Sequence, residues 1–248
     1  MRPITCLNRD DVLITVHVDG KPVPIYLAPD GMPFIEGMPG KPYAIYIENK
    51  TSGRLEILAS VDGMNTLKKE PANWRSNRGM VVDGRSTWRN LGWRLNDNEV
   101  AEFKFADMEA SIAARAGEPQ NIGVIGIATF SEKSYMRPIS DSGYSPKSFG
   151  GARGMSMNSM GSMKGGDATM DWMESSRERS VDIGTGAGEQ RHDAVGRTSF
   201  TRATDRPASI IEIQYRTRPT LERLGLLRTY PQAFAGEEET GYRELTTK

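Results

Sequence analysis

Cysteine, histidine and long apolar runs are nearly missing from this sequence, and net charge is missing altogether. Cys6 is the single cysteine in 248 residues, so neither an intrachain disulfide framework nor a cysteine zinc cluster can form. Histidine occurs only at His17 and His192, which leaves few ways to assemble a Ser-His-Asp or Cys-His constellation. Lys and Arg total 32 and are balanced by 32 Asp and Glu. That balance disfavours a whole-protein electrostatic grip on nucleic acid or on an anionic membrane. No segment approaches the roughly 20 apolar residues of a bilayer-spanning helix. The opening "MRPITCLNRDDVLITV" lacks the apolar stretch of a signal peptide, so cytoplasmic synthesis is expected. Hydrophobic residues make up only 37%, which implies that part of the chain builds no core.

What is present from Asp11 to about Lys133 has the pattern of β structure. "VLITVHVDG" and "PYAIYIENKTSG" alternate in polarity, and "RLEILASVDG" ends, like the first, in Asp-Gly. Asp-Gly recurs at Asp30-Gly31 and Asp83-Gly84 and supplies the positive φ angles of tight turns. "EVAEFKF" alternates, and "NIGVIGIATF" reads as a strand buried on both faces, with Gly123 and Gly126 marking a bulge or a close backbone approach. Between these two, "DMEASIAARAG" is a helix candidate with Asp107 as N-cap and Gly117 as terminator. The sequon Asn49-Lys50-Thr51 reads as turn chemistry.

From Ser134 to about Arg206 the chain is rich in Ser, Gly, Met, Arg and Asp and has no sustained period. Such a composition does not bury enough surface to offset its ordering entropy. "DIGTGAGEQ" in this stretch fails the dinucleotide glycine spacing and reads as a linker. Alternation returns in "ASIIEIQYR", and Pro219 opens a short helix. The expected fold is all-β: an antiparallel β-sandwich or jelly-roll-like barrel with one short helix and a long flexible segment. The expected division is a sandwich domain over 1–134, a flexible Met/Ser/Gly-rich segment over 135–206, a C-terminal strand and helix packing on the sandwich over 207–230, and a polar tail over 231–248.

The stretch from Asp19 to Phe130 carries "FIEGMPGKPYAIYIEN", "LASVDGMNTL", a late "GWR", "EVAEFKF" and "NIGVIGIATFSEK" in order, and "IQYRTRPTLERLGL" follows near the end. This set resembles a family of small β-rich proteins encoded in bacteria and tailed bacteriophages. The resemblance covers about half the chain and implies no assigned reaction and no catalytic residues. It does imply an assembly role, such as a virion accessory component. The chain departs from it in the Trp- and Arg-rich middle, "NWRSNRGMVVDGRSTWRNLGWR".

Candidate sites divide into three groups. Glu36, Asp62 and Glu99 border expected strands and could form a carboxylate pair, but solvated turn acids are the favoured reading. His17 reads as a sheet-face residue. Trp74, Trp88 and Trp93 lie with Arg75, Arg78, Arg85, Arg89 and Arg94 in a Trp/Arg window, whose interface candidates are Trp74, Arg78, Trp88, Arg89, Trp93 and Arg94 and for which core packing is favoured. After it come a protein interface, because Trp and Arg dominate hot spots, and stacking on glycans or bases. Met155, Met157, Met160 and Met163 lie close together in "GMSMNSMGSMKGG". A flexible linker ranks first there, then a partner-binding strip, then a Cu(I) site. The overall expectation is a non-enzymatic protein without cofactor or metal that packs with protein partners, as a homo-oligomer or as virion subunits. A glycan-binding module is the alternative.

Overall fold

The computed structural model describes residues 3–133 and 181–227, and among these the chain is an all-β sandwich of two sheets. The chain opens with β1 (Leu7–Arg9), β2 (Val12–Val18), β3 (Lys21–Pro22), β4 (Ile25–Leu27) and β5 (Pro33–Glu36). β6 (Pro42–Asn49), β7 (Leu55–Val61), β8 (Met64–Asn65), β9 (Met80–Val82) and β10 (Thr87–Asn90) follow. Then come β11 (Gly92–Asn96), β12 (Glu99–Asp107), α1 (Ile112–Arg115) and β13 (Val124–Ser131). β14 (Ile183–His192), β15 (Ser209–Arg216) and α2 (Arg218–Arg223) complete the described part.

The first sheet runs β1-β2-β6-β12-β11, with β3 on β2, β10 on β6 and β14 on β12. The second runs β4-β5-β15-β13-β7-β8, with β9 on β7. All pairings are antiparallel except β15 with β5. Alternation sets the faces: Val12, Ile14, Val16 and Val18 are buried while Leu13, Thr15 and His17 are not. Those valines and isoleucines meet Ile57, Ala59 and Val61 of β7 and Ile125 and Ile127 of β13 in one core between the sheets. Asp19-Gly20 and Asp62-Gly63 each place both residues at positive φ, as a two-residue hairpin turn requires. Asn49 is wholly used in turn chemistry: its Nδ2 donates to the carbonyls of Gly53, Val82 and Asp83, and its Oδ1 accepts from the Thr51 amide.

The C-terminal strand does return to the sandwich, and it enters as an interior strand, β15, between β13 and β5. Pro219 stands in the first turn of α2, as expected. The helix candidate at 107–117 is shorter than its pattern suggests. A 3-10 turn covers Met108–Ala110, and the cap of α1 is Ser111, whose Oγ accepts from the Ala114 amide, while the Asp107 side chain caps nothing.

The expected flexible segment 135–206 needs a larger correction. Its end contains β14, paired with β12 from Glu99↔His192 to Asp107↔Ile183, so "DIGTGAGEQ" is a strand and no linker. Its glycines let the 3-10 turn and α1 approach: a Cβ on Gly184 would lie 2.6 Å from the Ser111 Cβ. Residues 135–180 of that segment, with Met155, Met157, Met160 and Met163, lie outside the described residues. Gly184→Ala is therefore expected to destabilise the fold by about 2 kcal/mol, the cost of overpacking a closed contact. A urea titration showing a change below about 0.5 kcal/mol, the range of a surface substitution, would return this stretch to the linker reading.

Candidate functional site: an arginine-lined cleft

Two side-chain constellations stand out, one enclosed between the sheets and one open on the outer face of the second sheet. The enclosed one centres on Asp62, a turn residue whose side chain is fully buried. Oδ1 accepts the Gly123 amide at 2.8 Å, and Oδ2 accepts the Thr185 amide at 2.7 Å. The Tyr215 hydroxyl also hydrogen-bonds to Oδ1. Thr185 Oγ1 lies 2.7 Å from both the Tyr43 and the Tyr215 hydroxyls. The network thus joins β6 and β14 of one sheet to β7 and β15 of the other. Burial pushes the Asp62 carboxyl up to about 6 against the pull of these donors, and burial together with the Asp62 charge raises both tyrosines well above their usual value. The solvated-turn reading of Asp62 is overturned. Enclosed in this way, the group reaches no solvent-borne substrate and acts as a polar tie across the core.

The open constellation is a cleft of about 660 Å³ between residues 74–78 and 200–206. Glu56, Leu58, Ala128 and Phe130 form its floor, because alternation along β7 and β13 turns them away from the main core. Trp74 and Phe200 pack on Leu58, Ala128 and Phe130. Arg202 locks both walls to this floor. Its Nε and Nη2 reach the Glu56 carboxylate at 2.8 and 3.0 Å. It also donates to the carbonyls of Trp74 and Asn77 at 2.7 and 2.8 Å, and its guanidinium lies 3.6 Å from the Phe130 ring centroid. The second wall is pinned as well by backbone bonds from Lys133 to Thr201 and from Ala203 to Ser131.

Glu56 is buried and accepts, besides Arg202, the Gly79 amide at 2.7 Å. Burial would raise its carboxyl, but Arg202 and the Gly79 amide outweigh this and hold it below the usual value. Arg202 is thereby neutralised, and the cleft presents three further guanidiniums. Arg78, 67% exposed, touches Glu56 only at 3.5 Å. Arg75 lies over the Trp74 ring at 4.7 Å, and Arg206 lines the far side together with Asp205. Neither Arg75 nor Arg206 forms an ion pair with another described residue. Exposed guanidiniums beside aromatic faces suit planar carboxylates on a partner.

The structure splits the Trp/Arg window. Trp74, Arg75 and Arg78 line the cleft, joined by Phe200 and Arg206, which lie outside the window. Trp88 and Trp93 are core residues at 8% and 0% exposure, and the Trp93 indole donates to the Gly186 carbonyl at 3.1 Å. Arg89 lies over Tyr46 at 5.7 Å, and Arg94 pairs with Asp193. As interface candidates, Trp88 and Trp93 are corrected: the alternation Thr87-Trp88-Arg89-Asn90, exposed and buried in turn, points Trp88 inward. Glu36 pairs with Arg218, Glu99 accepts from Asn96, and His17 stacks on Tyr46 at 4.0 Å between ring centroids. Glu36, Asp62 and Glu99 thus each engage different partners. No group of three or more His, Cys, Asp or Glu able to hold a metal occurs among the described residues, and no helix among them is long and apolar enough to cross a membrane. No family model, no curated protein and no solved structure matches the chain.

Proposed function

We propose that the protein is a non-enzymatic interaction module that packs into a larger protein assembly through the arginine-lined cleft. The observation that carries this reading is the convergence of Trp74, Arg75 and Arg78 with Phe200 and Arg206, about 125 residues later in the chain, around a pair that already neutralises Arg202. Aromatic and arginine side chains held on a rigid floor are the residue types that dominate protein hot spots. A virion accessory component, head-decoration or tail-associated, is the specific form of the proposal, and it rests on the family resemblance of the strand motifs.

The experiment is solution mass by light scattering, on the protein alone and mixed with the products of its neighbouring genes. A discrete homo-oligomer or a stable complex is expected. Arg75→Ala with Arg78→Ala should weaken that association at least tenfold while leaving the melting temperature unchanged, because both side chains are exposed. A monomer that joins none of the products sinks the proposal. Glycan binding is the second reading, and it now rests on Trp74 and Phe200, because Trp88 and Trp93 are enclosed. A glycan array in which saturable binding disappears with Trp74→Ala but survives Arg78→Ala would favour it.

A further inference from the structure

Charge in the arginine cleft does not balance. Its walls carry four guanidiniums, Arg75, Arg78, Arg202 and Arg206, against one carboxylate, Asp205. Glu56 in the floor is already engaged: Arg202 holds it with two bonds, the Gly79 amide with a third, and Arg78 pairs with it at 3.5 Å. The surplus therefore falls on Arg75 and Arg206, which are both exposed. Asp205 adjoins Arg206 in sequence but is exposed as well, so water screens their attraction. By contrast Arg54, Arg94, Arg191 and Arg218 each have a carboxylate of their own, on Glu132, Asp193, Glu102 and Glu36.

The aromatic rings of the cleft discriminate among anionic partners. Trp74 packs on the floor and carries the Arg75 guanidinium at 4.7 Å. Phe200 packs on the same floor, with the Arg54 guanidinium 6.0 Å from its centroid. A nucleic-acid base binds by stacking on a free aromatic face, and here it would have to displace a guanidinium to do so. A carboxylate needs no ring. It meets the edge of a guanidinium through two parallel N–H bonds, and an arginine that stacks on an aromatic face keeps that edge available. The hydroxyls of Ser76 and Thr201 line the same space and can donate to a carboxylate oxygen. The zero net charge of the chain also leaves no broad positive field to draw a polyanionic nucleic acid.

We propose that the cleft receives an acidic peptide segment of a partner protein, one carboxylate pairing with Arg75 and another with Arg206, an inference that rests on the cleft being an interaction site. Arg202 and Glu56 hold the frame in which the two free guanidiniums stand. Arg78, already paired with Glu56, contributes field more than a direct bond. Asp205 opposes the ligand and limits how tightly an acidic segment is held.

The test is fluorescence anisotropy on the full chain at low salt with labelled hexaglutamate, beside labelled hexaglutamine and a six-nucleotide oligothymidylate. Hexaglutamate should bind saturably and lose affinity as salt screens the pairs, and hexaglutamine should not bind. Arg75→Ala with Arg206→Ala should weaken hexaglutamate binding at least about tenfold. Asp205→Asn should tighten it about twofold by removing a like charge. Thermal melts should stay unchanged in both variants, because all three side chains are exposed. Hexaglutamate that fails to bind, or that binds the doubly substituted protein equally well, overturns the acidic partner. Oligothymidylate binding more tightly than hexaglutamate, with the same dependence on Arg75 and Arg206, overturns it in favour of nucleic acid. Light scattering separates this failure from that of the interaction reading. If Arg75→Ala with Arg206→Ala breaks up the assembly while hexaglutamate does not bind, the cleft stands as the interface and the acidic partner falls; if the assembly survives and hexaglutamate does not bind, both fall.

Discussion

Asp62→Ala is expected to lower the stability of the fold by about 4 kcal/mol. Alanine removes the acceptor of the Gly123 amide, the Thr185 amide and the Tyr215 hydroxyl, and each buried donor left unsatisfied costs about 1–3 kcal/mol. It also places a residue with no local hydrogen-bonding side chain at φ 53, where Asp and Asn are better tolerated. Asp62→Asn keeps the turn and one acceptor but sets an amide group against the Thr185 N–H, so a smaller loss of about 2 kcal/mol is expected. Urea denaturation of both variants decides the matter. If Asp62→Ala costs less than about 1 kcal/mol, the network does not tie the sheets together.

The same residue gives the fold a pH dependence whose sign follows from its direction of shift. The carboxyl titrates near 3.8 when unfolded and at about 6 when folded, so between these values the folded state holds the extra proton. Its stabilising contribution is complete below pH about 4 and is lost as pH rises through 6, amounting to about 3 kcal/mol over the window. Glu212, which burial also pushes up to about 6, adds in the same sense. Glu56, held low by Arg202, works in the opposite sense and loses its contribution in acid. Comparing unaltered protein with Asp62→Asn across pH 4–7 removes the terms they share. The penalty of the asparagine should shrink as pH rises, and a penalty that grows instead would show Asp62 to be an ordinary ionised carboxylate held by its donors.

How much of this was legible in the sequence depends on whether the signal was local. β2, β6 and β12 follow from alternation, and the Asp-Gly turns at 19–20 and 62–63 follow from the φ angles they need. β14 could not be read in this way, because "IGTGAGEQRH" has no apolar alternation. Its partners are the backbone of β12 and a helix that only glycine lets approach. Asp62 shows a sharper limit: its Asp-Gly signal is identical to that of Asp19, yet Asp19 is an exposed partner of Lys41, while Asp62 turns into the core. The difference lies in Tyr43, Thr185 and Tyr215, which are distant in sequence. For the cleft, half the signal was present. Strand context could have separated the inward Trp88 and Trp93 from Trp74, which lies outside any strand, but nothing local joins Trp74 to Phe200 and Arg202.

Arg202→Ala should cost about 4 kcal/mol and dismantle the cleft at the same time. The Glu56 side chain is only 2% exposed and that of Arg202 only 10%, so removing the guanidinium leaves a desolvated carboxylate with Arg78 at 3.5 Å as its nearest cation. Truncating one partner of a buried pair typically costs about 3–5 kcal/mol. The loss here also includes the Phe130 contact and the bonds to the Trp74 and Asn77 carbonyls that hold one wall. Glu56→Gln with Arg202→Met removes both charges, keeps an acceptor for the Gly79 amide and keeps a long side chain over Phe130. It should therefore recover at least half of the loss, and a double-mutant cycle should return a coupling of about 2 kcal/mol. Stability and binding then separate. The double variant folds but lacks the carbonyl bonds that position Trp74, so its affinity for an acidic peptide should remain at least tenfold reduced. Full recovery of binding in the double variant would show that Arg202 acts only through its charge, whereas additive single effects would show that Glu56 and Arg202 are neighbours without being partners.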